Sequence, residues 1–172
     1  GNSGRQDLAQ VALALVDDPS PLVRAMAAWA LGRLDAATVY LSTAPFYHTA
    51  PVRWNMNVMR AGGSCVLMRQ FDAAGALRAI EAHRVTHVQF VPTMFVRMLR
   101  LPDAERARHD LSSLRAVIHA AAPCPPWVKE RIIAWLGPIV YEYYSGTELV
   151  GRTSLDSAQW LAHRGSVGRA EF

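Results

Sequence analysis

The sequence predicts an α/β fold: a partial parallel sheet whose strands alternate with helices, preceded by an α-helical hairpin. Three observations carry this reading. Short apolar, β-branched runs recur from Thr38 onward, separated by stretches of helical period. Helix-opening residues, Asp72, Pro92 and Pro126, stand just ahead of those stretches. The first 35 residues lack strand runs and are apolar at helical spacing. At 172 residues the chain is long enough for one domain with a core, and 51% apolar against 19% charged residues argues against disorder.

The elements follow in order. Leu8, Val11, Ala12 and Leu15 share one helical face. Asp18-Pro19-Ser20-Pro21 ends that helix, and Ser20 caps a second carrying Val23, Met26, Ala27, Ala30, Leu31 and Leu34. Strands are expected at Thr38–Leu41, Cys65–Met68, His87–Val91, Ala116–Ala120 and Ile139–Tyr144. Asp72 caps a helix with Leu77 and Ile80 inward, and Pro92 opens one with Phe95, Met98 and Leu99 inward. Pro126 opens a third, with Val128, Ile132, Trp135 and Leu136 on one side and Gly137-Pro138 as its stop. The polar stretch 101–113 reads as a surface connection. Strand–helix alternation implies βαβ units, hence parallel strands.

Composition narrows the function classes. The net charge of +4 comes from scattered arginines, which is not a nucleic-acid footprint. Cys65 and Cys124 lack metal-ligand spacing and read as reduced thiols of a cytoplasmic protein. No signal peptide is legible and no apolar run is long enough for a transmembrane segment. His83, His87, His109, His119 and His163 are dispersed and carry no metal signature.

The densest chemistry lies in residues 141–148, Tyr-Glu-Tyr-Tyr-Ser-Gly-Thr-Glu. An aromatic face at a strand end stacks a base. A Ser-Gly turn lets backbone approach a phosphate. A threonine hydroxyl and a carboxylate are hard oxygen ligands of the kind magnesium prefers. Upstream, Pro45-Phe46-Tyr47-His48-Thr49-Ala50-Pro51 places a histidine among aromatics. By residue type alone His48 reads as a loop or core histidine as well as a site residue, and Phe46 and Tyr47 as core or pocket wall.

The order of these motifs resembles the AMP-forming acyl-CoA synthetases, the adenylate-forming family. Pro45–Pro51 is similar to its aromatic-His segment, and Val91-Pro92-Thr93-Met94 to its strand-to-helix joint. Ala120-Ala121-Ala122-Pro123 occupies the place of its adenine-contacting turn. Tyr143-Tyr144-Ser145-Gly146-Thr147-Glu148 resembles its Tyr-Gly-x-Thr-Glu motif, with Ser145 where glycine is usual, and Gly165–Arg169 resembles a following Gly-x-x-Gly-Arg segment. The resemblance covers residues 38–172 and implies a central fragment of an AMP-binding domain. In the whole enzyme a small-molecule carboxylic (fatty) acid is joined to coenzyme A through an acyl-AMP made from ATP with magnesium. It implies nucleotide contacts from Ala120, Ala121, Ala122, Tyr143, Tyr144, Ser145, Gly146 and Thr147, with adenine on Tyr144. It also implies magnesium at Glu148, catalytic roles for His48, Thr147 and Glu148, and an acyl pocket at Phe46, Tyr47 and His48.

The family's phosphate loop, its ribose-binding carboxylate and its lid with the catalytic lysine have no counterpart in these 172 residues. The resemblance therefore implies that this polypeptide alone does not form acyl-adenylate at a useful rate. Residues 1–35 instead resemble a HEAT-type repeat, as in the C-terminal tail of epoxyqueuosine reductases. That leaves two further readings: a protein-interaction module that binds a partner through 1–35, and a gene-fusion fragment without function.

Overall fold

The computed structural model describes residues 36–148 and 150–171; the hairpin expected over 1–35 lies outside them. From Val39 on, the chain alternates as expected. The order is β1 (Val39–Ser42), α1 (Thr49–Arg60), β2 (Ser64–Leu67), α2 (Ala73–His83), β3 (His87–Phe90), α3 (Pro92–Leu99), α4 (Asp103–Ala107), β4 (Ala116–His119), α5 (Pro126–Leu136), β5 (Val140–Ser145), β6 (Arg152–Leu155), α6 (Ser157–Ala162) and β7 (Arg169–Ala170). The expected strands fall within a residue or two of those observed. The connection over 101–113 carries the short helix α4, which buries none of its residues.

Local signals act as their chemistry predicts. The Asp72 carboxylate accepts from Gly75 N at 2.7 Å, capping α2. Val91 is the extended N-cap of α3 with Pro92 in its first turn, and Pro126 starts α5. Gly137 ends α5 at φ 83°, a backbone region that disfavours side chains. Asp156 and Gln159 form a reciprocal capping box on α6.

The described strands form one sheet in the order β2-β1-β3-β4-β5-β6-β7. Pairing is parallel from β2 through β5, and β6 and β7 add antiparallel. One face carries the main core, where Leu41, Val88, Phe90, Val117 and Val140 pack with Leu77, Ile80, Phe95, Met98, Val128, Ile132 and Trp160. The other face carries a smaller cluster of Tyr40, Trp54, Val58, Ala116 and Ile118 under α1. Strand alternation divides β5 between them: Tyr141 and Tyr143 join the α1 side, and Val140 the main core.

The main core also holds charge. Lys129, fully buried on α5, pairs with Glu142 of β5 and lies 5.1 Å from the Trp160 ring. His119, at the end of β4, stands 3.6 Å from the same carboxylate and 5.5 Å from Phe95, ring to ring. Burial, and then the Lys129 charge, press the imidazole pKa down to about 3, so it is neutral at physiological pH. Burial lowers the pKa of Lys129, and Glu142 works against that shift.

Candidate active site

Parallel strands leave a crevice beyond their carboxyl ends, and ligands favour the place where strand order reverses. Here the chain passes from β1 outward to β2, then returns to the other side of β1 with β3. A cavity of about 240 Å³ opens at that place. Ser42, Thr43 and Ala44 after β1, Gln89 to Val91 at β3, Ala120 and Ala121 after β4, and Ser145 to Thr147 after β5 converge on it, with α1 forming its wall.

His48 is the extended N-cap residue of α1; it is exposed, lines the cavity, and has no side-chain cap bond. Its ring lies 4.6 Å from that of Tyr47. The pocket wall expected at Phe46 and Tyr47 is not where these side chains lie: neither lines the cavity, and Tyr47 is 82% exposed. The wall comes from α1 instead, where Trp54 stacks on Tyr40 with ring centroids 6.1 Å apart. Sequence periodicity hid this because α1 opens inside the aromatic-His motif.

The pleat of β5 parts two residues expected to act together. Tyr143 faces the cavity, its hydroxyl accepting from Gln89 Nε2 at 2.9 Å and its ring 5.1 Å from the Arg152 guanidinium carbon. Tyr144, one residue on, does not line the cavity and is 65% exposed. Two successive strand residues cannot share a face. The cavity and the Tyr144 ring are therefore separate surfaces, which meet only where the strand ends at Ser145.

That end is a turn with open backbone. Ser145 Oγ donates to Gly151 O at 2.7 Å, tying the turn across. Gly146 and Thr147 line the cavity, and the Glu148 carboxylate folds back so that a Cβ on Gly146 would stand 3.1 Å from its Oε2. Beside them Ala120 is buried, while Ala121 and Ala122 form an exposed turn with Ala121 at φ 75°. These alanines are turn residues and pack in no helix. Among the described residues no cluster of three His, Cys, Asp or Glu could hold a metal. Thr147 and Glu148 are a sparse hard-oxygen set, which fits a magnesium ion that keeps waters and shares a nucleotide's phosphates.

Sequence reasoning missed Arg53, Trp54, Gln89 and Arg152 as lining residues. Arg152 Nε stands 3.1 Å from Glu171 Oε2, an ion pair by distance rather than an aligned hydrogen bond. A helical count of four from Thr49 would have found Arg53; nothing local marks Arg152, which arrives by antiparallel register opposite Ser145.

The site is thus a cavity at the carboxyl edge of a mostly parallel sheet, beside an aromatic strand end and a Ser-Gly-Thr-Glu turn. The AMP-binding enzyme family matches residues 20–171, and the chain belongs to that family. The match begins at residue 20, inside the stretch that resembles a HEAT repeat. The chain is 32% identical over 135 residues to 4-coumarate–CoA ligase-like 6 of Oryza sativa subsp. japonica, covering 77% of this chain and 22% of that protein. It is 33% identical over 109 residues to the medium/long-chain-fatty-acid–CoA ligase FadD8 of Mycobacterium tuberculosis, covering 63% of this chain and 19% of that one. The N-terminal domain of FACL13 from Mycobacterium tuberculosis superposes with a TM-score of 0.74 at 28% identity, over 86% of this chain and 38% of that chain. The chain thus spans about a fifth of the length of these curated relatives.

Proposed function

We propose that this chain supplies the nucleotide- and acid-binding edge of a ligase that activates a carboxylic acid with ATP, through acyl-AMP, for transfer to coenzyme A. The observation that carries the reading is the meeting of two surfaces at one strand end. The Tyr144 ring lies outside the cavity and His48 lines it, with the Ser145–Thr147 turn between. Adenine rests on Tyr144 against the open backbone of Ala120 to Ala122. Thr147 and Glu148 hold a phosphate-bound magnesium, which offsets charge developing at the α-phosphate. The acid lies in the cavity under α1 with its carboxylate toward the turn, and His48 orients that carboxylate. Coenzyme A enters after adenylation. Two free, partly buried thiols fit a reducing, cytoplasmic setting.

The test is a thermal melt of the chain with magnesium ATP and with a non-hydrolysable acyl-adenylate mimic. A ligand at about one hundred times its dissociation constant adds roughly 2.7 kcal/mol to a fold it alone recognises. An upward shift with both ligands supports the reading; a cooperative melt that neither ligand moves sinks it.

A further inference from the structure

The charge of the cavity is unusual for a site built to take a hydrocarbon chain. Its lining carries two guanidiniums, Arg53 and Arg152, and no carboxylate. Arg152 is answered from outside the lining by Glu171. Arg53, half-buried on the second turn of α1, has no ion-pair partner among the described residues. Burial lowers its pKa; Tyr143 opposes that shift and the neighbouring Arg152 adds to it. A guanidinium remains charged even so. An alkyl chain laid against it would strip its water and return nothing, and an uncompensated cation held away from water is costly.

Arg53 sits on the α1 wall of the cavity, five residues along the chain from His48. Activation belongs at the Ser145–Thr147 turn. Arg53 acts electrostatically on Tyr143, two residues back along β5, among Tyr40 and Trp54. We propose that the cavity selects an acid bearing a second carboxylate, with the Arg53 guanidinium meeting that distal group and Tyr143 beside it. The inference rests on reading the cavity as the acid site. A planar guanidinium matches a carboxylate in two parallel hydrogen bonds, the geometry that best discriminates a dicarboxylic acid from a plain alkyl one.

Two adenosine sulfamates test it, one N-acylated with a hexanoyl chain and one with the adipoyl chain that ends in a free carboxylate. They share the nucleotide and differ only at the tail. Titration calorimetry on the chain, with AMP as reference, should show the adipoyl probe bound about tenfold more tightly than the hexanoyl one, the scale of one charge-assisted contact. Arg53→Gln should remove that preference and leave AMP affinity unchanged, while Arg53→Lys keeps part of it. Equal affinity for the two probes, both tighter than AMP, overturns the second-carboxylate proposal and leaves acid activation standing. Neither probe binding more tightly than AMP removes the acid site itself and the proposal with it. A preference that survives in Arg53→Gln refutes the assignment to Arg53. The wild-type comparison decides the selectivity even if a variant fails to fold.

Discussion

Tyr144 and Gly168 show two ways a residue becomes indispensable. Tyr144 is 65% exposed and belongs to neither apolar cluster of the described residues, so its ring can meet a ligand. Tyr144→Ala is expected to leave the melting temperature within a degree or two. It should weaken nucleotide binding by roughly 1–3 kcal/mol, the worth of one stacked base, as read by titration with ATP. Gly168 is the opposite case. Its φ is 97°, and an added Cβ would lie 2.1 Å from Ser154 O across the β6–β7 pairing. Gly168→Ala forces that backbone contact apart, because no flexible side chain is there to yield. We expect a loss of more than about 2 kcal/mol in denaturant unfolding, with the damage centred on β7. Sequence marked both positions, Tyr144 through its motif and Gly168 through a Gly-x-x-Gly-Arg pattern. It could not tell which acts by contact with a ligand and which by the absence of a side chain.

Among the elements, α5 and β5 are joined by something their apolar stripes do not reveal. Val128, Ile132 and Ile133 bury as periodicity requires, and Lys129 goes in with them. Its ammonium reaches Glu142 on the strand that leads to the Ser145–Thr147 turn. A buried ion pair adds little net stability over apolar partners, but losing one member leaves the other unanswered. Lys129→Met should therefore cost about 3–5 kcal/mol, and the double variant Lys129→Met, Glu142→Leu should recover much of that loss. A chemical-denaturation cycle over the four proteins measures the coupling; equal costs for single and double variants would dismiss it. At the start of β5, Ser157 Oγ donates to Val140 O at 2.8 Å and accepts from Val140 N at 3.1 Å, fixing α6 against the strand.

Across the whole molecule, stability should respond to acid through His119. Unfolded, a histidine titrates near 6.5; folded, this one is held to about 3 by burial and by Lys129. Between those values the unfolded chain binds a proton that the folded chain refuses. The contribution is fully present above the unfolded value and is lost as pH falls toward the folded one, by up to about 1.4 kcal/mol per pH unit. Denaturant midpoints should fall between about pH 6.5 and pH 4, and His119→Asn should flatten that fall. Glu142 and Lys129 face the imidazole from β5 and α5, so the same titration in Lys129→Met reports how much of the slope the ammonium supplies. Among the described residues no helix is long and apolar enough to cross a membrane.

The sequence by itself determined the five parallel strands β1 to β5 and the helices α2, α3 and α5, but not α1, α4 or the elements after Ser145. It did so because hydrophobic period, caps and prolines are local: Asp72, Pro92, Pro126 and Gly137 each act within a turn of their own position. It also determined the motif at 143–148, because a turn with a hydroxyl and a carboxylate is chemistry written in consecutive residues. Only the tertiary structure decided which residues share a surface. Parallel crossover brings the ends of β1, β3, β4 and β5 to one crevice from positions far apart in the chain. The pleat of β5 sends Tyr143 into that crevice and keeps Tyr144 out of it, and helical rotation carries Arg53 and Trp54 in while Phe46 and Tyr47 stay outside. Register brings Arg152 opposite Ser145, and packing buries Lys129 with Glu142. Each of these depends on contacts between distant segments, whose free energy exists only once the chain has closed on itself.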